Sequence, residues 1–348
     1  MTGSVLAIDG SHGEGGGQLL RTACAAAALT GRTIRLFNIR ARRAPPGLAP
    51  QHLTAVKAVA ELCRAEVEGL SVRAREITFR PGRPRGGAFR FDVGTAGSIT
   101  LVLQACLPVA FAGGERVTLR LIGGTDVRAA PPLDYFRLVL LPLLGRMGLE
   151  TAIRLIRRGY YPRGGGEVEI EVEPGAPRPL NLETPGALEE ISGAVHVANL
   201  PARIAERMRA TATQILSGYP PAHIEQQVLG RADAIGPGGA IVLRARTVHT
   251  LLGGAEVAQR GVPAERVGEN AAQALRAELE AGATLDIHAS DQLLVYLALA
   301  DGPSCFLARG LSTHAQTTMW LLPQLLPVRF ETAPAGRCTR VNVYPGRA

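Results

Sequence analysis

Lysine is almost absent from this chain of 348 residues. Lysine and arginine together number 38, and Lys57 is the sole lysine among them. Because Lys57 lies within a helical segment and has no Lys-x-Asp-Gly motif around it, nucleotidyl transfer through a lysine nucleophile is nearly excluded. The remaining positive charge is arginine, whose planar guanidinium suits phosphate binding. The net charge of +8 therefore fits a polyanionic partner, although genome composition can produce the same arginine bias.

Cysteine pairs are missing as well. The cysteines stand apart from one another, without a Cys-x-x-Cys motif, at Cys24, Cys63, Cys106, Cys305 and Cys338. A zinc site needs ligand pairs that this spacing does not offer. We therefore expect buried free thiols and a reducing, cytoplasmic location.

Long apolar runs and aromatic residues are also few. The longest apolar stretches, such as Leu138–Leu144, contain a proline and are too short to cross a bilayer. Asp9 and Glu14 come early in the chain, so a secretory leader is not expected. Aromatic residues make up 4% of the chain, so helices must pack through small side chains. The same scarcity leaves no interleaved aromatic platform of the kind that general single-strand RNA binding uses.

One order of elements occurs three times along the chain. A polar or glycine-rich turn enters an apolar helix, and a strand, a second helix and a closing strand follow. The first copy has Gly15–Gly17, a helix to Gly31, strand Thr33–Ile39, a helix from about Pro50 and strand Glu76–Arg80. The second has Gly94–Ser98, a helix to Gly113, strand Arg116–Ile122, a helix from about Pro132 and strand Glu167–Val172. The third has Ala289–Gln292, helix Leu293–Ala300, strand Ser304–Ala308, a helix from about Gln316 and strand Thr339–Tyr344.

This repetition predicts the fold class. One supersecondary unit used three times indicates an α/β (α+β) protein of two-helix and β-sheet units, packed around a pseudo-threefold axis. Helix N-termini from the three units are then expected to gather around a shared centre.

Residues 181–282 interrupt the third copy and predict a smaller α/β domain. It is inserted into a repeat-built catalytic body of residues 1–180 and 283–348. Its expected elements are strands at Ala194–Leu200, His223–Leu229 and Ala240–Val248, and helices at Pro201–Leu216 and Pro263–Glu280. Its histidines, His196, His223 and His249, have no convergent partners in the sequence and are expected to be structural.

The passage Asp9–Gln18 has the composition of a phosphate-binding turn. Its glycines let backbone amides approach phosphate oxygens, and the helix that follows adds the positive end of its dipole. It is not a Walker loop, because no Gly-Lys-Ser/Thr follows. It is not a Rossmann fingerprint either, because Gln18 replaces the third glycine. A plain tight turn is the alternative.

Two further loops carry candidate chemistry. Arg40, Arg42 and Arg43 precede a helix that opens with Gln51 and His52, an arrangement that suits a polyphosphate or nucleic-acid clamp. A solvated loop with ordinary surface charge is the alternative. His314 occupies the corresponding strand-to-helix loop of the third copy. Backbone N–H groups are free at such a position and bind anions. A neutral imidazole there is a competent nucleophile toward phosphorus, and the phosphoramidate that it forms readily passes its group on.

At these residues the chain resembles the RNA 3′-terminal phosphate cyclases. The matching passages are Asp9–Arg21, Ile39–Lys57, Gly94–Pro108, Gly123–Phe136, Tyr160–Gly166, Asp291-Gln292 and Pro323–Phe330. They extend over nearly the whole repeat body, whereas the insert matches only in position and rough pattern. The resemblance implies three repeats similar to the C-terminal domain of translation initiation factor three, with a thioredoxin-like insert.

The resemblance also implies an ATP-dependent ligase-type enzyme of RNA processing that acts on RNA 3′-phosphate ends. In that family a histidine attacks the α-phosphate of ATP and becomes adenylylated, and AMP then passes to the RNA 3′-phosphate. The neighbouring 2′-hydroxyl displaces AMP to give a 2′,3′-cyclic phosphate. His314 matches the place of the nucleophile, and Glu14 matches the residue that holds a divalent metal on the ATP phosphates. Oxygen donors of this kind favour Mg²⁺ or Mn²⁺.

Further site residues follow from the same resemblance. Phosphate and RNA-end contacts correspond to Arg21, Arg40, Arg43 and Gln51, and the nucleotide pocket corresponds to Gln104, Asp291 and Gln292. Gly15 and Gly16 belong to the phosphate-binding turn. Pro131 corresponds to a wall against the adenine, and His288 stands where the family often has a tyrosine.

Two other classes of protein stay open at this point. An enolpyruvyl transferase is built on similar repeats but needs neither ATP nor a nucleophilic histidine. A non-catalytic cyclase-like protein that binds RNA during ribosome maturation would lack the histidine of this loop, so His314 together with Glu14 argues against it. A sheet edge of the insert could pair two copies in a homodimer.

Overall fold

The first part of the chain builds a four-stranded sheet and two helices. The structure, a computed structural model, describes residues 5–346. The elements are β1 (Leu6–Asp9), α1 (Gly17–Thr30), β2 (Ile34–Phe37), α2 (Pro50–Cys63), β3 (Glu66–Glu68) and β4 (Ile77–Arg80). The strand order is β1-β2-β4-β3, in which β1 and β2 are parallel and the other neighbours antiparallel.

A second sheet follows, with order β7-β8-β6-β5. Its elements are β5 (Gly87–Asp92), α3 (Ile99–Phe111), β6 (Val117–Gly123), α4 (Leu133–Tyr135), α5 (Leu141–Arg146), β7 (Thr151–Gly159) and β8 (Gly166–Val172). A π-helical turn at Phe136–Leu140 joins α4 to α5. Val117, Leu119 and Leu121 are buried on one face of β6, as expected for a strand of period two.

Another group of elements has its own apolar core. It comprises β9 (Leu188–Ala198), α6 (Ala202–Ile215), β10 (Ala222–Leu229), β11 (Ala234–Ile235), β12 (Gly238–Thr247), β13 (Leu251–Val257) and α7 (Ala264–Ala281). The sheet order is β10-β9-β12-β13, and α6 and α7 pack together through residues such as Met208 and Leu275. The short β11 instead pairs with β7 of the second sheet in parallel. The sequence pattern indicated neither β11 nor β13.

The last part of the chain adds α8 (Ile287–Leu299), β14 (Ser304–Ala308), α9 (Thr313–Leu321), β15 (Val328–Ala335) and β16 (Cys338–Pro345), with sheet order β14-β16-β15. Two expected boundaries are wrong here. Asp291 and Gln292 lie inside α8, because Asp286 caps that helix by accepting hydrogen bonds from the N–H groups of His288 and Ala289. His314 lies in the first turn of α9, because Ser312 is the cap that accepts from the N–H of Ala315.

Helices of different sheets pack closely through small residues. In α1 the run Ala25–Ala28 is buried all round, and α1 contacts α2, α3 and α9. A helix that is apolar on every side is stable only inside such a bundle. All five cysteines are buried free thiols, as expected. Within residues 5–346, every helix is too short or too polar to cross a membrane.

Candidate active site

A cavity of about 720 Å³ lies where the start of α1 meets α2, α8 and α9. It brings together candidate residues from all parts of the sequence. These are Glu14, Gly16, Arg21, Arg40, Arg43, Gln51, Gln104, Pro131, His288, Asp291, Gln292 and His314. Gly15 does not line the cavity, although its neighbour Gly16 does. The roles of these residues stay predictions, but their positions are compatible with one shared site.

The glycine turn brings the backbone close to two other elements. Gly13 has a φ of +59°, and a side chain there would collide with Thr317 of α9. A side chain at Gly17 would collide with the ring of His52. The helix α1 begins at Gly17 without a side-chain cap, so its first N–H groups are left for another acceptor. Glycine is therefore required here for close approach as well as for the turn.

Arg21 is the buried cation of the cavity. It is 6% exposed, and its Nε has no hydrogen-bond partner among residues 5–346. Burial lowers the pKa of Arg21 to about 10, while the carboxylate of Asp291 acts in the opposite direction. A guanidinium in this environment gains most from a bound anion.

The arginine loop reaches the same wall. Arg43 forms an ion pair with Glu14, which joins the loop to the glycine turn. Arg40 donates from Nη1 to the carbonyl oxygens of Pro45 and Gly47, at 3.0 and 2.7 Å. Gln51 accepts from the N–H of Ser98 at 3.2 Å. These contacts hold the two guanidinium groups and the Gln51 amide at fixed positions along the cavity.

His314 lies between two carboxylates. Its Nε2 is 3.6 Å from Oε2 of Glu14, and its Nδ1 is 3.8 Å from Oδ2 of Asp291. Oδ2 of Asp291 also accepts from Oγ of Ser312 at 3.2 Å. Burial raises the pKa of Asp291 to about 6, against the attraction of His314. Burial lowers the pKa of His314, Asp291 opposes this, and Arg21 and Arg43 add to it.

These neighbours predict how the reactivity of His314 depends on pH. The family resemblance predicts that His314 reacts with ATP. A nucleophilic imidazole must be neutral, so this reaction should fall only as the pH drops through a pKa below 6.5. Replacing Asp291 by Asn removes the charge that raises this pKa, and should move the acid limb to lower pH. Replacing Arg43 by Gln removes a charge that lowers it, and should move the limb to higher pH. Rates of protein labelling by ATP across a pH series measure both, and shifts in the same direction would contradict the assignment.

Another part of the cavity lining is a chain of amide hydrogen bonds, which we call the amide ladder. Gln104 donates from Nε2 to Oε1 of Gln292 at 2.8 Å, and Gln292 donates to the carbonyl of His288 at 2.9 Å. The carbonyl of Pro131 accepts from Thr100, which fixes the proline ring beside the cavity. His288 lies edge-on to Tyr135, with ring centroids 6.1 Å apart. Amides beside flat apolar surfaces can bind the edge and faces of a nucleobase.

Some cavity residues were given no role of their own in the sequence analysis. His52 is 4% exposed, and burial beside Arg21 and Arg40 lowers its pKa to about 3. Its Nδ1 accepts from the N–H of Ala49, so the neutral ring helps to define the start of α2. Ala255, Glu256 and Val257 of β13 also reach the cavity. His52 caps a helix and the other three residues belong to a strand, so no sequence motif distinguishes them as residues of a site.

The expectation that His196 has no convergent partners is wrong. Its ring is 1% exposed and lies 3.4 Å from Asp134 and 3.7 Å from Asp126. Arg158 bridges the two carboxylates, with contacts of 3.1 Å to Asp126 and 2.7 Å to Asp134. The four side chains join β9 to the second sheet. Because they come from four separate segments, only tertiary structure could bring them together.

The fold and cavity define a class of protein: a mixed α/β protein with a polar cavity that presents a histidine, carboxylates and a buried arginine. The chain belongs to the RNA 3′-terminal phosphate cyclase family, whose model matches residues 12–332. This confirms the resemblance drawn from the sequence passages.

Full-length relatives agree with this membership. The RNA 3′-terminal phosphate cyclase of Nitrosospira multiformis is 59% identical over 97% of this chain and 96% of its own length. Those of Methanopyrus kandleri and Pyrobaculum neutrophilum are 45% and 44% identical, over 98% and 94% of this chain and 99% and 95% of their own lengths.

One solved structure, the enolpyruvyl transferase NikO from Streptomyces tendae, has 12% identity and a TM-score of 0.27, covering 99% of this chain and 67% of its own. A similarity this low supports no inference about fold or function.

Proposed function

We propose that this chain uses ATP to convert an RNA 3′-phosphate into a 2′,3′-cyclic phosphate through a histidine–AMP intermediate. The observation that carries the proposal is the meeting of His314, Glu14 and Arg21 in one cavity of a family member. Within residues 5–346, the buried Nε of Arg21 has no hydrogen-bond partner. Nucleophile, carboxylate and anion-binding cation are the groups that stepwise transfer of a nucleotide requires.

The first step is attack on the α-phosphate of ATP. Asp291 lies 3.8 Å from Nδ1 of His314 and can hold a proton on that nitrogen, while Glu14 lies 3.6 Å from Nε2. With Glu14 engaged as a metal ligand, the lone pair of Nε2 would be left for the phosphorus. A bond forms between Nε2 and the α-phosphorus as the bond to the bridging oxygen breaks, and pyrophosphate leaves. Arg21 and the first N–H groups of α1 offset the charge that builds up on the phosphate oxygens.

The next two steps consume the adduct. An oxygen of the RNA 3′-phosphate attacks the adenylyl phosphorus, the bond to His314 breaks, and an RNA-adenylate forms. The 2′-hydroxyl then attacks the 3′-phosphorus and passes its proton to solvent, while the bond from that phosphorus to the AMP oxygen breaks. AMP leaves, and the cyclic phosphate is closed. Arg40 and Arg43 lie on the cavity wall, where they can bind the RNA phosphate during both steps.

We propose Mg²⁺ or Mn²⁺ as the metal, with Glu14 as its protein ligand. The donor set fits, because the carboxylate of Glu14 lines the cavity and is a hard oxygen donor. Within residues 5–346 no group of three or more His, Cys, Asp or Glu side chains could hold a metal by itself. Mg²⁺ is commonly held by one or two carboxylates together with substrate phosphates. When bound, the ion would supply charge neutralisation on the phosphates of ATP.

The adenine is proposed to bind at the amide ladder. Gln104 and Gln292 offer amide groups to the base edge, and Pro131 offers an apolar face. His288 also lines the cavity. Its ring is held edge-on to Tyr135, which favours contact with the base through its free face or edge.

The domain plan is part of the same proposal. The three sheets around α1, α3 and α8 suit the predicted pseudo-threefold body of residues 1–180 and 283–348. The apolar core shared by β9, β10, β12, β13, α6 and α7 supports an insert at residues 181–282. The edge strand β10 is where a homodimer could pair.

The test is conversion of a short RNA with a 3′-phosphate, followed by mass spectrometry of RNA and protein. We expect the RNA to lose the mass of one water, in amounts that match the AMP released, only when ATP and Mg²⁺ or Mn²⁺ are both present. The protein should carry one adenylate on the peptide that contains His314. Tight RNA binding without turnover of ATP would favour the non-catalytic cyclase-like class. Transfer of an enolpyruvyl group without ATP would favour the other alternative.

A further inference from the structure

The sole tryptophan of the chain takes part in a ring stack beside the cavity. Trp320 on α9 lies parallel to His12 of the glycine turn, with ring centroids 3.6 Å apart and an angle of 12° between the planes. Trp320 is half-buried and packs against the main core, whereas His12 is exposed. The two rings form an ordered stack whose outer layer is the imidazole.

The stack is joined to the candidate active site on both sides. His12 precedes Glu14 by two residues, and the N–H of Glu14 donates to Oγ1 of Thr317 at 3.4 Å. Trp320 follows His314 by six residues on the same helix, which is about 9 Å along the helix axis. The glycine turn and α9 therefore run side by side from the cavity to the stack.

Positive charge flanks the stack outside the cavity. Arg32 is exposed and donates to the carbonyl of Gln324, one turn beyond Trp320. Arg42 is exposed and lies close enough to Asp9 to help lower the pKa of that carboxyl group. Neither arginine forms an ion pair with a carboxylate in the described part of the chain. Exposed guanidinium groups beside an aromatic surface are typical of single-stranded nucleic-acid sites.

We propose that His12, supported from behind by Trp320, is a stacking platform for a nucleobase within the last two nucleotides of the RNA substrate. This deepens, and rests on, the function proposed above. Histidine is among the side chains on which RNA bases stack. An RNA strand whose 3′-phosphate lies near His314 passes close to this platform. His314 and Trp320 lie on the same helix, α9, and His12 lies on the glycine turn that packs against it. The platform would accept any base, since stacking uses the face of the ring and not its edge.

The alternative is a structural role, in which the stack only packs the glycine turn against α9. The two roles differ in whether the RNA base contributes to binding. If the stack only packs the turn, loss of the His12 ring should weaken RNA binding equally with and without a base. It should also slow adenylylation, because the turn carries Glu14. A platform should affect RNA binding alone, and only when the base is there.

The experiment is a double-mutant cycle between His12 and the RNA base. Two dye-labelled RNA oligomers with a 3′-phosphate are compared by fluorescence anisotropy, one intact and one with abasic sites in its last two positions. For the intact oligomer, His12→Ala should raise the dissociation constant by about five- to 150-fold. For the abasic oligomer, wild type and His12→Ala should bind alike. His12→Phe should restore binding of the intact oligomer, because it keeps an aromatic face.

The matched control is His223→Ala, which removes an exposed histidine on β10, far along the sequence from the stack. It should leave both dissociation constants unchanged. Equal losses for intact and abasic RNA in His12→Ala would overturn the platform, as would full binding of the intact oligomer. Labelling by ATP without RNA should persist in His12→Ala. If wild type binds RNA through the base but never forms a cyclic phosphate, the proposed function fails while the platform stands.

Discussion

His314→Ala should abolish adenylylation of this protein. No other side chain in the cavity combines a free imidazole nitrogen with carboxylates on both sides within 4 Å, judged over residues 5–346. Removal of a covalent nucleophile costs several orders of magnitude, so we expect labelling by α-labelled ATP to fall at least about a thousandfold. Intact-protein mass spectrometry after incubation with ATP and Mg²⁺ measures the same loss as a missing adenylate.

The control for this loss must be a histidine outside the cavity. His52 is unsuitable, because it is buried beside Arg21 and helps to start α2. His223→Ala removes a solvent-exposed ring and should label like the wild type. Undiminished labelling in His314→Ala would show that another residue carries the nucleotide, and the proposed mechanism would then be wrong.

Arg158→Met should cause the largest loss of folding stability among single changes of charge. The Arg158 guanidinium is 3% exposed and bridges the buried carboxylates of Asp126 and Asp134. Its removal leaves two buried carboxylates, with His196 near both of them and the half-exposed Arg137 beside Asp134. Breaking a buried ion pair in this way costs about 3–5 kcal/mol. Urea unfolding followed by circular dichroism would measure the change in the free energy of unfolding.

Arg154→Met on the same strand is the matched control. Arg154 also pairs with a carboxylate, Glu169, at 2.7 Å, but its side chain is 66% exposed. Exposed pairs of this kind contribute about 1 kcal/mol or less. If both variants lost the same free energy of unfolding, the Arg158 cluster would not be the structural connection that its burial indicates.

Local sequence patterns predicted most elements of this fold. Glycine turns, proline at helix starts and period-two strands depend on neighbours a few residues apart, so α1, α2, β6 and β14 appear close to where the sequence placed them. The sequence pattern placed the starts of α8 and α9 too late. Their caps, Asp286 and Ser312, are polar residues that look like part of the preceding loop. The strand β13 was missed because Leu251–Val257 contains two glycines and shows no alternation of apolar and polar residues.

The sequence by itself determined the chemistry that this protein carries: an arginine-rich, lysine-poor chain with a glycine turn, a histidine and an acidic residue in passages typical of one family. Only the tertiary structure decided which of these groups meet. Glu14 and His314 are 300 positions apart in the chain but lie side by side, His196 of β9 lies 3.4 Å from Asp134, and the ring of His12 stacks on Trp320. Contacts of this kind depend on how packed helices and sheets are arranged in space, and no local pattern of residues encodes that arrangement.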